Sequence, residues 1–404
     1  MMIAARRWPF PAPRYPIAAL QGMKKRFLAS PVCGSVPVRR DRSVFGCFGV
    51  AASEDGFVVF MPGYRARRGY TNEPYQYVQA EAAAGRLRLV QADESQALLE
   101  SQVMQHLARG GEWWAHPTGI ASVRISPSQL LIHLDSHTIS SGDTSYQMAA
   151  YALDQLLPYA EDGLQVHNAI GLRAKAANNL DLVLTYAGRT ARVVLRATKG
   201  TNWGQLLAKR KNEMLKAGVL PLWTEPTLTP DERGDLANHP LVRSAEHRIA
   251  WLGSGLLRRI ALFENHSSAY STRSWMTGDE WVFELDTAKD VPLRHDGLLD
   301  RLTDPVWGLP VKITSHHCSC RAAAQQQRTD IDYECIYRLA HRQNRRGILQ
   351  IRFRSVSVHD RQNLRRRLAD MGADPAWLGQ VLPLVASDFL HGRKRSIETL
   401  RGQR

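Results

Sequence analysis

Residues 145–226 constrain the fold most, because the apolar spacing changes period several times within one short stretch. SYQMAAYALDQLLPYA (Ser145–Ala160) has helical spacing. LQVHNAIGL (Leu164–Leu172) and NNLDLVLTYAGRTARVVLRATKG (Asn178–Gly200) alternate as strands. TNWGQLLAKRKNEMLKAG (Thr201–Gly218) is helical again, and VLPLWTEP (Val219–Pro226) returns to a strand. Helix, three strands, helix and strand predict an α/β module with a small mixed sheet flanked by helices, set within a multidomain α+β chain. Asp181 stands among the apolar residues of the second strand. A carboxylate there must be paired, bound to a cation, or able to reach solvent from the strand edge.

The chain has 404 residues, more than one core usually serves, so two or three domains are expected. Its formal net charge of +15 points to a polyanionic partner, nucleic acid before an anionic membrane surface. No apolar run approaches twenty residues, so a bilayer span is not expected. The five cysteines (33, 47, 318, 320 and 335) do not make a disulfide framework, which suits a reduced, cytoplasmic setting.

The expected divisions are a Pro- and Arg-rich start over 1–22, read as disordered or as an upstream start, and an accessory α+β domain over 23–140. The central module follows over 141–228, then an accessory region over 229–336 and a basic helical region over 337–404. VFGCFGVAA and FVVFMPG (Val44–Gly63) read as a hairpin, and YRARRGYTNEPYQYV as a solvated loop with a few packed rings, with stacking and phosphate contact to nucleic acid as the alternative. DESQALLESQVMQHLARGG (Asp93–Gly111) reads as a helix with an acidic start and a glycine stop, and TPDERGDLANHP (Thr229–Pro240) as a linker. His133, Asp135 and His137 would share one strand face, as a polar sheet face or a metal trio.

Two further features carry chemistry. SHHCSCR places His316, His317, Cys318 and Cys320 together, with Cys335 and His341 downstream; Cys318, Cys320 and Cys335 are candidate zinc ligands. Cys-x-Cys is tight for two ligands of one tetrahedral ion, and ordinary buried cysteines are the alternative. The second feature is the basic tail from Tyr337, where Arg345, Arg346, Arg365, Arg366 and Arg367 lack acidic partners at helical spacing and are candidate phosphate contacts.

Metal-dependent phosphodiester cleavage needs carboxylates on Mg²⁺, a lysine near the attacking water, and a rigid sheet to hold them together. Asp181 and the strand RVVLRATK provide such a frame. The order NNLDLVL, TARVVLRATKG, LAKRKNEMLKAG and VLPLWTEP resembles the nuclease module of the competence protein CoiA-like family, a branch of the PD-(D/E)XK restriction-endonuclease-like fold. The resemblance covers about eighty residues. It matches Arg210 to the family's helix arginine and Leu222-Trp223 to its closing apolar-Trp pair, and it implies DNA rather than RNA as the partner.

The departures bear on activity. The family's glutamate would fall near Leu195 or Arg196, and Tyr146 or Gln147 stands where an acid or histidine is expected. Arg196 and Lys199 stand close by instead, and a cation about 4 Å from Mg²⁺ costs roughly 4 kcal/mol per charge product at an effective dielectric near 20, enough to empty a weak site. The leading expectation is therefore a DNA-binding, DNA-processing protein whose metal site is degenerate, with Arg196 and Arg210 among its contacts. The alternatives are a Mg²⁺-dependent deoxyribonuclease using Asp181, Lys199 and a relocated Glu213, and a non-enzymatic interaction protein stabilised by zinc.

Overall fold

A computed structural model describes residues 63–108, 118–126, 129–135, 144–161, 165–197, 200–288, 291, 295–320, 334–343, 345–356, 361–370 and 373–383. All fall within one compact unit, Phe60–Arg404. The expected hairpin over 44–63 and the start over 1–22 lie outside the described residues, apart from Gly63. The chain is α/β with mixed sheets, as the alternation of periods predicts.

The first sheet combines β1 (Ile120–Ile125), β2 (Leu130–Leu134), β5 (Leu172–Ala176), β6 (Asp181–Tyr186) and β7 (Arg192–Arg196) in the order β1-β2-β7-β6-β5. Neighbours run antiparallel except β2 and β7, which are parallel. One face is apolar along whole rungs: Val123, Ile132, Leu195, Leu182 and Ala176, then Ile125, Leu130, Val193, Leu184 and Ala174. These residues join one core with Leu99 and Val103 of α3 (Glu94–Leu107) and Met148 and Leu153 of α4 (Thr144–Leu156). α3 begins where its sequence says it should, with the Asp93 side chain accepting from Gln96 N.

The last strand of the central module departs from expectation. β8 (Val219–Pro221) does not join the first sheet. It pairs with β3 (Tyr159–Glu161), which also pairs with β4 (Gln165–His167), in a separate three-stranded sheet. The place parallel to β7 is taken by β2, which comes from before the module. Leu222 packs with Ala160, Val166 and Ile170, and that burial draws β8 away. α5 (Trp203–Lys216) connects β7 to β8, with Trp203 buried and its indole N–H donating to Leu180 O at 2.9 Å.

The second five-stranded sheet has the order β11-β12-β13-β10-β9. Its strands are β9 (Ser271–Thr277), β10 (Glu280–Ala288), β11 (Val311–Cys318), β12 (Glu334–His341) and β13 (Ile348–Val356), with β10 parallel to β13. Trp281, Phe283 and Leu285 face the core beside Leu349, Ile351 and Phe353. α7 (Pro240–Leu257) reaches this face through Gly253, where an added Cβ would lie 2.3 Å from the Trp281 ring. The remaining described helices are α1 (Gly63–Thr71), α2 (Tyr75–Ala83), α6 (Pro230–Asn238), α8 (Ala261–Ser267), α9 (His295–Leu302), α10 (Arg361–Asp370) and α11 (Pro375–Val381).

Three expectations are corrected here. YRARRGYTNEPYQYV is not a loop: it forms α1 and α2, because buried Arg67 is paired with buried Glu73 at 2.6 Å and counts as core. The supposed linker at 229–240 is α6, opened by a full capping box between Thr229 and Glu232. The region from 337 onward starts as strand, and the expected boundary between 336 and 337 falls inside β12. No described helix is long and apolar enough to cross a membrane.

Candidate functional site

Three sulfurs and one imidazole meet at the edge of the second sheet. Cys318 ends β11 and Cys335 lies directly across from it near the start of β12. Cys320 follows Cys318 by two residues, so both side chains turn the same way. Ser319 between them is tied to Glu334, donating to its carbonyl at 2.8 Å and accepting from its N–H at 3.0 Å. The Cys-x-Cys spacing that looked tight in the sequence is accommodated where β11 ends at Cys318 and the chain turns, bringing the two sulfurs to 3.1 Å. The fourth donor is His295, the first residue of α9, which the sequence reading did not include.

The four donor atoms all lie within 4.8 Å of one another. Cys318 Sγ is 3.1 Å from Cys320 Sγ and 3.3 Å from Cys335 Sγ. His295 Nε2 is 3.2 Å from Cys320 Sγ and 3.7 Å from Cys318 Sγ. Zn–S bonds of about 2.3 Å place tetrahedral sulfurs about 3.8 Å apart, so a small outward relaxation accommodates an ion. His295 and Cys335 are buried, and Cys318 and Cys320 are half-buried. Behind the imidazole, Nδ1 lies 2.7 Å from Asp296 Oδ1 and 3.2 Å from the Tyr337 hydroxyl. The carboxylate can only accept, so Nδ1 carries a proton, and Nε2 is the nitrogen that faces the sulfurs. Hydrogen bonding with Cys335, reinforced by Asp296, pushes the metal-free His295 up to about 9, and burial raises the Cys320 thiol. This cluster can bind a metal such as zinc, and it is the only gathering of three or more such donors among the described residues.

The other histidines once in line for this role are elsewhere. His341 lies at the opposite end of β12, six residues and roughly 20 Å from Cys335. Its ring packs edge-on against Trp251 at 5.1 Å. His316 stacks on Tyr337, and His316 and His317 are exposed.

The first sheet carries the second candidate site on its polar face. Asp181 is adjacent to β7 as expected, paired in register with Arg196, which pairs in turn with His133 on β2. Arg196 grips both carboxylate oxygens, Nε to Oδ1 at 2.7 Å and Nη2 to Oδ2 at 2.8 Å. Asn178 donates to Oδ2 at 3.1 Å, and its own carbonyl accepts from the Leu180 and Asp181 N–H groups. The Arg196 hydrogen bonds hold the Asp181 carboxyl below its usual range. Burial, then Arg124 and Arg196, push His133 down to about 4, with Asp181 opposing.

The remaining predicted site residues are dispersed. Lys199 and His137 lie outside the described residues, and Asp135 is buried at the end of β2. Glu213 lies 3.9 Å from Lys209 on α5, and Arg210 pairs with Asp154 of α4 at 3.0 Å. Burial raises the Asp154 carboxyl, with Glu213 adding to the effect. Glu213 therefore belongs to the contact between α4 and α5, while the partners of Asp181 are Arg196 and Asn178. The guanidinium of Arg345 sits over Trp251 at 5.3 Å, the Arg346 carbonyl accepts from the Trp251 indole at 3.0 Å, and Arg365 donates to Leu378 O at 2.8 Å near the end of α11. Arg366 is exposed, and the Arg367 side chain is outside the described set.

No family model, no curated protein and no solved structure matches this chain.

Proposed function

We propose that the protein binds nucleic acid, DNA before RNA, on the polar face of the first sheet, and does not cleave it. The observation that carries this reading is the charge balance of that face. Its rungs present Lys175 on β5, Arg192 and Arg196 on β7, and Arg124 on β1, against the single carboxylate of Asp181. Arg173 is left out of this balance because buried Glu232 holds it at 2.7 Å. Lys175 and Arg192 are exposed, and Leu131, Val183 and Thr185 are half-exposed between the charges. The Arg124 guanidinium lies 5.2 Å from the Tyr77 ring, which puts an aromatic surface beside the cations.

Asp181 also argues against cutting. Its two oxygens already accept from Arg196, and displacing a bidentate arginine for Mg²⁺ would leave a cation next to the metal. The preference for DNA rests on the likeness in residue order to CoiA-like nuclease modules. A reducing, cytoplasmic compartment suits Cys318, Cys320 and Cys335, which are not joined in disulfides.

Gel shift and plasmid nicking, run in parallel with Mg²⁺, Mn²⁺ and a chelator, test the reading. Binding should persist in all three conditions, survive Asp181→Asn, and weaken steeply with salt. Nicking that needs Mg²⁺ or Mn²⁺ and disappears in Asp181→Ala would replace it with the deoxyribonuclease reading.

A further inference from the structure

We infer that His295, Cys318, Cys320 and Cys335 bind one Zn²⁺ as a closed structural site that clamps α9 onto the hairpin of β11 and β12. Four protein donors fill a tetrahedral shell, which leaves no open position for a substrate or activated water. Three thiolates and one imidazole form a soft set that favours zinc over the oxygen-seeking Mg²⁺ or Ca²⁺.

The surroundings are those of a ligand set rather than of three incidental thiols. His295 has its outward nitrogen fixed by Asp296 at 2.7 Å and its inward nitrogen aimed at sulfur, the arrangement that sets tautomer and ring plane in histidine–metal sites. Tyr337 lies between the site and the core: its hydroxyl is 3.2 Å from His295 Nδ1, and its ring packs against Phe353. The sulfurs stand 3.1 and 3.3 Å apart, well beyond the roughly 2.05 Å of a disulfide bond.

The site adds a tie between α9 and the β11–β12 pair, whose two strands are already joined by their ladder. β11 is an edge strand with six consecutive exposed residues, so its own side chains bury little. α9 contributes Leu298, Leu299 and Leu302 to the core, and its first residue, His295, is buried as well. One ion would fix the start of α9, the end of β11 and the start of β12 at a single point.

Elemental analysis of the full-length protein, purified without added chelator, should give about one zinc per chain. Replacing zinc with Co²⁺ should give the visible spectrum of a tetrahedral ion with thiolate charge-transfer bands, and those bands should weaken in Cys320→Ser. His295→Ala should lose the metal, whereas His316→Ala, His317→Ala and His341→Ala should keep it. Asp296→Asn should keep one zinc per chain but bind it roughly 10–100-fold more weakly in chelator competition. A thiol-alkylation assay on the unmutated protein covers the case in which the ligand variants fail to fold: Cys318, Cys320 and Cys335 should be protected with zinc and react after chelation. The inference is overturned if metal-replete protein contains no zinc, if two of these thiols are found oxidised to a disulfide, or if His341→Ala removes the metal while His295→Ala does not.

Discussion

His133 should make the folded chain acid-sensitive by an amount that can be worked out. It sits half-buried on β2, paired with Arg196 of β7 and Ser122 of β1, with Arg124 two residues further along β1 and Asp181 one strand beyond Arg196 as the opposing charge. Its pKa falls from 6.5 to about 4, first through burial and then through the two arginines. The unfolded chain therefore binds a proton between those values that the folded chain refuses. This contribution to stability is complete above the unfolded value and is lost as pH falls toward 4. A drop of about 2.5 pH units at about 1.4 kcal/mol each comes to roughly 3 kcal/mol. The assay is urea denaturation followed by tryptophan fluorescence, comparing the protein with His133→Gln from pH 7.5 to 4. The other titrating groups are common to both proteins and cancel in the difference, apart from Asp181, which His133 itself influences. That difference should shrink on acidification, fastest between about pH 6 and 4.5, where the slope approaches about 1.4 kcal/mol per pH unit. A flat difference curve, or an NMR titration of His133 with its midpoint at or above 6.5, would refute the placement of a neutral imidazole near two guanidinium groups.

Other expectations follow from the same structure. Glu232 is fully buried and accepts from Arg173, Gly171 N and Thr229 N, so Glu232→Gln should cost about 3–5 kcal/mol in denaturant unfolding by leaving buried Arg173 without its counter-charge. Gly253→Ala should cost about 1–3 kcal/mol and alter the near-UV circular dichroism of Trp281, because the new methyl meets that ring. Arg196→Met should raise the Asp181 pKa, read by carboxyl-carbon NMR, since the largest cause of its depression is removed; Mg²⁺-dependent nicking should still not appear. Chelation should lower the melting temperature of the protein and leave that of His295→Ala unchanged.

Much of the local structure was legible. Asp93 before an apolar helical run gave α3, and alternation around Asp181 and Val193 gave β6 and β7 as neighbours. What failed was pairing at a distance. Nothing within VLPLWTEP says that β3 will outbid β7 for it, because partner choice depends on Leu222 finding Ala160 and Val166. Hydropathy also misread YRARRGYT, where Arg67 is 1% exposed and scores as surface only if Glu73 is ignored. The metal cluster was half legible. Cys318, Cys320 and Cys335 stood out by type, but His295 lies 23 residues before the first of them, in a segment whose other candidate ligands are aspartates. The adjacent Asp296 was the available signal, since His-Asp is the pairing that fixes a ligand's tautomer. Arg196 was read as a charge that repels Mg²⁺; the structure adds that it occupies the carboxylate outright.

The most direct test of the account is fluorescence anisotropy of a labelled DNA oligonucleotide against salt concentration, for the protein and for Lys175→Ala and Arg192→Ala. If the polar face of the first sheet is the binding surface, each substitution should reduce the slope of log K against log salt by about 0.9, the value for one lost phosphate contact, and the double variant by about twice that. Unchanged slopes in both variants, or no binding by the unmutated protein at low salt, would contradict it.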